Sequence, residues 1–461
     1  MKLMLSLFAL LLALSLRAQT KVFKEVGEDI STQVKTISQD NVLVGYLAFT
    51  RLEKTSADSF NYRLTIMDEN LNDIGAVNFR QGALDLQSVS FGQDVLCLGY
   101  VQRTGHIVLQ FVNLQGNILN TWTKEAHVSG TLKYGMQIRN IPNGGFAFFY
   151  GDDLRQELLL FDTKGMMTHE QPTPAFAEHF YLHSSATELY LLAKQNGQAP
   201  EGGWKLYVFS PKDLSAENDF DLRDVNGNWL KVLNFDNDPA TGDPYIAGCI
   251  INPRREKQFF TANDYAYSPY LGLFTLDLGN AHKDMYANCS YWFNDNIPDI
   301  SAQGMFKDKG FYVKYATAFR DYKGNTIFAG TALLGKGYVG SAKYKLADGV
   351  FVRQDPTGHV VLDNDIPCDE TKYFGDAGIL FELDKKTFYK VDNPDIKNNY
   401  VIINDDENIY LYNVGNKKVM RTIPHKDGNI KINVYPAKEG HMMISEYNRK
   451  GRYTRFSIEA L

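Results

Sequence analysis

Short apolar segments of strand length recur along this chain, and each is followed by a turn rich in Asp, Asn and Gly. Hydrophobic runs or alternations that end at such turns are typical of β-strands. In the clearest cases the strand ends in Asp, Asn or Ser, as in residues 64–68, 109–113, 158–162 and 206–210, so this signature returns every 45 to 49 residues. A period of roughly 40 to 50 residues indicates the blades of a β-propeller.

A second apolar strand precedes each of the first five signature strands. These preceding strands are predicted at residues 42–49, 95–101, 145–150, 188–194 and 244–250. We interpret each pair as the second and third strands of a four-stranded antiparallel blade, with an outer strand after the turn. No long window has apolar residues at helical spacing with a cap at each end, so an α/β enzyme fold is not expected.

The period weakens in the second half of the chain. Further signatures lie at residues 273–277, 380–384 and 409–413, at intervals of 67, 107 and 29 residues, and a degenerate one lies near residues 326–334. The pattern therefore predicts an all-β propeller in which seven blades fit best and eight second. Two stacked β domains, or a propeller with a separate C-terminal sandwich, remain alternatives.

The two ends of the chain suggest how the ring closes. Strands are predicted at residues 430–437, 441–447 and 452–458, and an isolated strand at residues 21–26 precedes the first complete unit. A closed ring leaves no exposed sheet edge, and one blade shared by both ends is a common way to secure it. We expect the N-terminal strand to pair into the C-terminal blade.

The first residues have the pattern of a secretory signal peptide. Lys2 supplies a positive charge, residues 3–16 form a short apolar run, and Ala18 is a small residue at a plausible cleavage point. Residues 1–18 are thus predicted to be removed, leaving one propeller domain at residues 19–461 that is exported to the periplasm or the cell exterior. No later apolar run reaches the roughly 20 residues of a membrane span. The cleavage point also lacks the Cys that would indicate a lipid anchor.

The composition argues against several kinds of binding partner and structural site. A net charge of −6 spread over 461 residues does not favour nucleic acid or an anionic membrane surface. The four cysteines are too few for a disulfide-held scaffold. Cys97 is predicted to be a core residue, Cys249 and Cys289 could pair if their loops meet, and no Cys/His zinc spacing is present.

Three motifs have competing readings. Residues 335–340 match G-x-G-x-x-G, but their flanks predict strands, which favours a glycine-rich hairpin over a dinucleotide site. Carboxylates in residues 236–243 could bind calcium, although Asp, Pro and Gly there also fit a turn. His179 and His183 in a strand would lie about 13 Å apart, too far for one metal. No catalytic residue, metal or cofactor is predicted.

A long connection supplies the candidate binding site. Residues 251–270 join two strands of one blade and combine basic with aromatic side chains, and long loops in compact domains are usually functional or disordered. The segment 288–296 is expected to emerge on the same face of the ring. The predicted ligand-binding residues are Arg254, Arg255, Phe259, Phe260, Tyr265, Tyr267, Tyr291 and Trp292. The competing interpretation is that these aromatic rings pack over the blade edges.

The signal peptide ending Ala18-Gln19-Thr20, the aromatic β repeats and the Leu-x-x-Phe-Asp turns resemble those of exported β-propeller proteins of unknown function from Bacteroidota. This resemblance covers most of the mature chain but carries over no catalytic residue. We expect a non-catalytic binding or scaffold protein with a protein or glycan ligand of the cell envelope. The alternatives are a carbohydrate-active hydrolase or lyase with carboxylates at the ring centre, and a shed envelope protein that contacts another protein through residues 251–270.

Overall fold

Eight antiparallel sheets follow one another along the chain in a computed structural model. The structure describes residues 19–24, 31–39, 42–56, 58–126, 132, 135–151, 155–173, 177–195, 203–251, 270–278, 288–293, 297, 299–338, 341–368, 371–374 and 386–461. Within these residues each sheet forms one blade of a β-propeller, and the first strand of each blade is the innermost. The chain therefore contains eight blades, and the expectation of seven is wrong.

The strands of the first four blades run in simple chain order. They are β2 (Ser31–Gln39), β3 (Val42–Ser56), β4 (Ser59–Asp68) and β5 (Asp73–Gln81) in blade 1; β6 (Leu84–Gly92), β7 (Val95–Gln102), β8 (His106–Asn113) and β9 (Ile118–Glu125) in blade 2; β10 (Met136–Asn140), β11 (Phe146–Gly151), β12 (Gln156–Phe161) and β13 (Met167–Pro172) in blade 3; and β14 (Ala177–Ser184), β15 (Leu189–Gln195), β16 (Trp204–Phe209) and β17 (Ala216–Asp221) in blade 4.

The last four blades include the additions that blur the repeat. Their strands are β18 (Trp229–Asn237), β19 (Pro244–Ile251), β20 (Tyr270–Asp277) and β21 (Asn288–Tyr291) in blade 5; β22 (Tyr312–Arg320), β23 (Thr326–Tyr338), β24 (Ser341–Gln354), β25 (Val360–Ile366) and the added β26 (Thr371–Phe374) in blade 6; β27 (Thr387–Asn393), β28 (Asn398–Asn404), β29 (Asn408–Asn413) and β30 (Lys418–Pro424) in blade 7; and β31 (Lys426–Asp427), β32 (Ile430–Pro436), β33 (His441–Asn448), β34 (Tyr453–Ala460) and β1 (Gln19–Lys24) in blade 8. A 3-10 turn, Pro394–Ile396, lies in blade 7.

The strands of blade 6 explain why the sequence repeats predict the wrong number of blades. The degenerate signature at 326–334 predicts a third strand, but these residues belong to β23, the second strand of the blade. The true third strand, β24, carries the polar residue Gln354, which is buried and donates to Ser290 Oγ of blade 5 at 2.6 Å. The long β23–β24 hairpin also stretches the period, and the signature at 380–384 lies outside the described residues. The predicted glycine-rich hairpin at 335–340 coincides with this β-hairpin where it is described.

Apolar residues form the middle strands because those strands are covered on both faces. In β7, β11 and β12 nearly every residue is buried, whereas the outer strands β9 and β13 alternate or are exposed. Continuous hydrophobic runs are the pattern of a strand that is buried on both sides. The five predicted second strands are confirmed as β3, β7, β11, β15 and β19.

A separate hydrophobic cluster fills the space between each pair of neighbouring blades. Blade 8 packs against blade 1 in the same way, with Met443 and Phe456 against Tyr46 and Met67. Blade 8 also draws a strand from the other end of the described chain. Strand β1 pairs antiparallel with β34, with Gln19 opposite Ile458.

The polar residue of the repeat signature organises the turn that follows it. The Asp162 carboxylate accepts hydrogen bonds from the backbone amides of Lys164 and Met166, at 2.9 and 2.8 Å. Asp68, Asp224, Asp321 and Asp355 cap their own turns in the same way. Gly165 has φ of +79°, a conformation that favours glycine. The signature is therefore a carboxylate-capped turn that stabilises the end of a strand.

Candidate functional site

Most of the sequence-predicted site cannot be compared with the structure. Arg254, Arg255, Phe259, Phe260, Tyr265 and Tyr267 lie outside the described residues. Tyr291 and Trp292 are described, and they are only 5% and 4% exposed. The Tyr291 hydroxyl accepts a hydrogen bond from the Asn226 amide at 3.0 Å, and the Trp292 indole donates to the Tyr270 carbonyl at 2.9 Å. These two rings pack within blade 5 and its border, and ligand binding by the loop stays a prediction.

Cys249 and Cys289 do not form a disulfide. They lie on β19 and β21, which flank β20 on opposite sides, with Cys249 opposite Leu273 and Cys289 opposite Phe274. Two strands separated by a third are about 9 to 10 Å apart, beyond the reach of a disulfide. Cys97 is buried in the core between blades 2 and 3, as predicted.

The inner strands of five blades meet at a polar cavity of about 410 Å³, here called the central cavity. It lies where these strands end, and its walls come from blades 1 to 5. Its lining residues are Thr36, Ser38, Val89, Ser90, Arg139, Asn140, His183, Ser184, Asp236 and Asn237. Among them Val89 is the one apolar side chain, so the cavity suits a polar ligand.

Four of the lining residues occupy equivalent positions. Ser38, Arg139, His183 and Asp236 are each the next-to-last residue of the inner strand of their blade. The same position in blade 7 is Asp392, on the inner strand β27. The propeller repeat thus brings together side chains that are about 50 residues apart in the chain.

Side-chain hydrogen bonds hold neighbouring inner strands at fixed positions. The Gln137 amide donates to the Phe180 carbonyl at 2.9 Å and accepts from the Leu182 amide at 2.8 Å. Ser184 Oγ donates to the Asn140 carbonyl at 2.5 Å, and His183 Nε2 bonds Asn237 Oδ1 at 2.9 Å. Such contacts preorganise the wall of the cavity from blade 3 to blade 5.

Arg139 carries the positive charge of the central cavity. Arg139 is exposed to solvent, but the protein groups around it partly desolvate its guanidinium and lower its pKa, with the charge of Asp236 acting in the opposite direction. In the part of the chain that the structure describes, the guanidinium donates to the Ile138 carbonyl at 3.2 Å and forms no ion pair. Its remaining donors are available to a ligand.

His183 is neutral at ordinary pH. Burial, together with the positive charge of Arg139, lowers its pKa to about 4, while the hydrogen bond to Asn237 acts in the opposite direction. The ring also stacks on Phe235, with centroids 4.7 Å apart. His183 therefore contributes a fixed polar group rather than a charge.

Asp236 connects the central cavity with blade 7. Its carboxylate lies 4.0 Å from the Lys390 ammonium, which also pairs with Asp392 at 3.2 Å. Burial raises the pKa of Asp236, and the positive charge of Lys390 opposes this effect. The two carboxylates thus share one lysine at the centre of the ring.

A larger cavity of about 680 Å³ adjoins the central cavity and shares Thr36 and Ser38 with it. This junction cavity lies between blades 1, 7 and 8. Its lining includes Lys390 and Asp392, which neutralise each other as an ion pair. We place the candidate site in the smaller cavity because polar side chains from five consecutive blades line it, whereas many apolar and aromatic side chains line the junction cavity.

Other charged residues in the second half of the ring stabilise the fold. Arg320 contacts Asp238 at 2.8 Å and Asp277 at 2.5 Å, and its guanidinium lies over the Tyr245 ring at 4.5 Å. Asp238 also accepts from the Ala240 and Thr241 amides, which makes residues 238–243 a capped turn. Among the described residues no group of three or more His, Cys, Asp or Glu side chains could hold a metal ion.

The sequence analysis did not identify the central cavity. A signal was present, because polar residues close to the strand ends recur with the period of the blades: Ser38, Ser90, Asn140, Ser184 and Asn237. The apolar pattern does not mark the innermost strand of each unit, so the sequence alone does not align these positions.

The comparisons with known proteins can now be set beside this geometry. The family described as a family of unknown function (DUF6770) matches residues 1–146. The chain is similar to that family over its first third. No curated protein matches the chain.

Solved structures with similar architecture are distant in sequence. The WD40 domain of SCAP from fission yeast is 8% identical, covers 95% of this chain and 98% of its own, and has a TM-score of 0.43. The β-propeller domain of the Trilobed protease from Pyrococcus furiosus is 9% identical over 82% and 93%, with a TM-score of 0.40. A protein of unknown function from Bacteroides caccae is 12% identical over 70% and 94%, with a TM-score of 0.29.

In the described parts of the chain, no helix has the length and apolar character needed to cross a bilayer.

Proposed function

We propose that this protein is an exported, non-catalytic binding protein and that its ligand occupies the central cavity. The observation that carries the proposal is the convergence of Arg139, His183 and Asp236, from three consecutive blades, on one polar cavity of about 410 Å³. This volume lies within the range of small-molecule sites, which combine a concave shape with a few well-placed polar groups. The signal-peptide pattern of residues 1–18 supports export.

Thermal-shift screening of residues 19–461 against oligosaccharides, peptides and divalent ions tests this function, since a ligand of the native state raises the melting temperature. Ser38→Trp adds a large side chain at an exposed position of β2 that lines both cavities, Val42→Trp adds it at an exposed position that lines the junction cavity alone, and Glu217→Trp adds it to the exposed outer strand β17. A ligand of the central cavity should stabilise the wild type, Val42→Trp and Glu217→Trp but not Ser38→Trp.

A ligand that stabilises the wild type and every variant equally would show that the site lies outside the central cavity. Residues 251–270 would then be the next region to test. N-terminal sequencing of the protein recovered from a Gram-negative host tests export separately. Cleavage after Ala18 is expected, and an intact N-terminus in the cytoplasm would contradict export.

A carbohydrate-active hydrolase is the second candidate. Asp236 and Asp392 lie 4.0 and 3.2 Å from Lys390, so their nearest oxygens are no more than about 7 Å apart, an upper limit that allows the spacing of about 5 to 5.5 Å used by retaining glycosidases. The ammonium of Lys390, however, lies between the carboxylates, where a sugar ring would have to bind. Release of reducing ends from a polysaccharide panel, abolished by Asp236→Asn, would establish the enzyme.

A further inference from the structure

We propose that the ligand of the central cavity is a small hydroxylated carboxylic acid, of the sugar-acid class, and that Arg139 binds its carboxylate. This inference rests on the proposed function, because it specifies what the same cavity binds. Three features of the walls carry it: the charge balance, the neutral polar groups and the shortage of apolar surface.

The charge balance favours an anionic group. Lys390 lies 4.0 Å from Asp236 and pairs more closely with Asp392, whereas Arg139 forms no ion pair within the described residues. Arg139 is exposed, so its free donors can reach a ligand, and a carboxylate would supply the close counter-charge that the described residues do not. The planar guanidinium of Arg139 can donate two parallel hydrogen bonds to a carboxylate.

A carboxylate fits better than a phosphate dianion. Arg139 is the only unpaired cation among the described lining residues, and Asp236 lies on the neighbouring wall with a negative charge of its own. A second negative charge on the ligand would be left without a partner and would be repelled by Asp236. The single unpaired guanidinium can pair with one negative charge on the ligand, and Asp236 disfavours a second.

The neutral groups favour hydroxyls on the rest of the ligand. The side chains of Ser38, Ser90 and Asn140 line the cavity and, in the described structure, form no hydrogen bond to other protein groups as donors or acceptors. Each can both donate and accept, as hydroxyl groups require. Val89 is the one apolar lining side chain, so the cavity offers little to an acyl chain or an aromatic ring.

Isothermal titration of residues 19–461 with D-glucuronate and D-galacturonate tests the inference. Glucose and galactose present the same rings without the carboxylate, acetate presents the carboxylate without the hydroxyls, and inorganic phosphate presents the dianion. We expect a uronate to bind at least tenfold more tightly than its neutral sugar, than acetate and than phosphate.

Arg139→Gln should weaken uronate binding at least tenfold and leave the weak binding of neutral sugars unchanged. Arg139→Lys keeps the positive charge without the planar guanidinium and should recover part of the affinity. It also replaces Arg139→Gln as the test variant if Arg139→Gln does not fold. Arg103→Gln, at an exposed position in the turn between β7 and β8, is the matched control and should bind as the wild type does.

The outcomes separate the two proposals. Equal binding of uronate and neutral sugar, unaffected by Arg139→Gln but blocked by Ser38→Trp, would overturn the sugar-acid inference and preserve the cavity as a binding site. Acetate or phosphate binding as tightly as the uronates would overturn the requirement for a hydroxylated monoanion. Binding of none of these probes would overturn the inference, and a cavity-dependent hit in the wider panel would still support the function.

Discussion

Phe23 and Phe456 make an edge-to-face contact, with ring centroids 5.8 Å apart, between the first described strand and the last. The contact lies on the face of blade 8 that packs against blade 1, beside Tyr46 and Met67. The backbone pairing of β1 with β34 and this aromatic contact both attach residues 19–24 to the ring. Their energetic contributions can be tested one at a time.

Phe23→Ala should reduce the free energy of unfolding by about 1 to 2 kcal/mol, because it removes a partly buried ring and its contact with Phe456. Val22→Ala is the control, since Val22 is 47% exposed on the same strand and its truncation should cost no more than about 0.5 kcal/mol. Chemical denaturation of both variants measures the difference. Equal effects would show that β1 is held by its backbone pairing alone.

His183 should make the stability of the protein depend on pH. Its pKa is about 4 in the folded chain and near the ordinary value of 6.5 when unfolded, so the unfolded chain binds the proton more tightly. Stability is full above pH 6.5 and falls as the pH drops towards 4, by up to about 3 kcal/mol at 1.36 kcal/mol per pKa unit.

Melting temperatures between pH 7 and pH 4 measure this dependence. His183→Gln removes the titrating group and should flatten the curve in that window, although it lowers stability at pH 7 by losing the stack on Phe235. His169→Gln, at an exposed position of β13, should leave the curve unchanged. A curve for His183→Gln as steep as that of the wild type would show that other groups cause the pH dependence.

Two glycines with the same backbone conformation separate backbone strain from crowding. Gly227 has φ of +75° with no atom within 4 Å of an added Cβ, whereas Gly165 has φ of +79° and an added Cβ would lie 2.4 Å from the Phe111 ring. Gly227→Ala should cost about 1 to 2 kcal/mol, and Gly165→Ala about 1 to 3 kcal/mol more. Denaturant midpoints measure both. Equal costs would mean that Phe111 moves aside freely.

The middle strands could be predicted from the sequence because each is buried on both faces and therefore apolar throughout. The capped turns could be predicted for a related reason, since the carboxylate of a residue such as Asp162 must lie at the end of its strand to reach the amides of the turn. Both features depend on residues close together in the chain.

The number of blades and the site depend on residues far apart. Gln354 is polar in a strand where the pattern requires an apolar residue, and its hydrogen bond to Ser290 of another blade is what permits this. Arg139, His183 and Asp236 each look unremarkable in their own strands. Only the closed arrangement of the inner strands shows that they face one cavity, and this arrangement had no local signal.

The placement of β1 has a consequence for the newly made chain. Its partner, β34, follows the other described strands along the chain, so residues 19–24 remain without their partner strand until residues 453–460 exist. Unpaired edges can pair with strands of other molecules, and lysines on an edge disfavour that association. Lys21 and Lys24 lie on β1. β1 is also the outer edge of the finished blade 8, where Lys21 pairs with Asp73 of blade 1 at 2.6 Å, so the two lysines disfavour association with another chain both before and after the ring is complete.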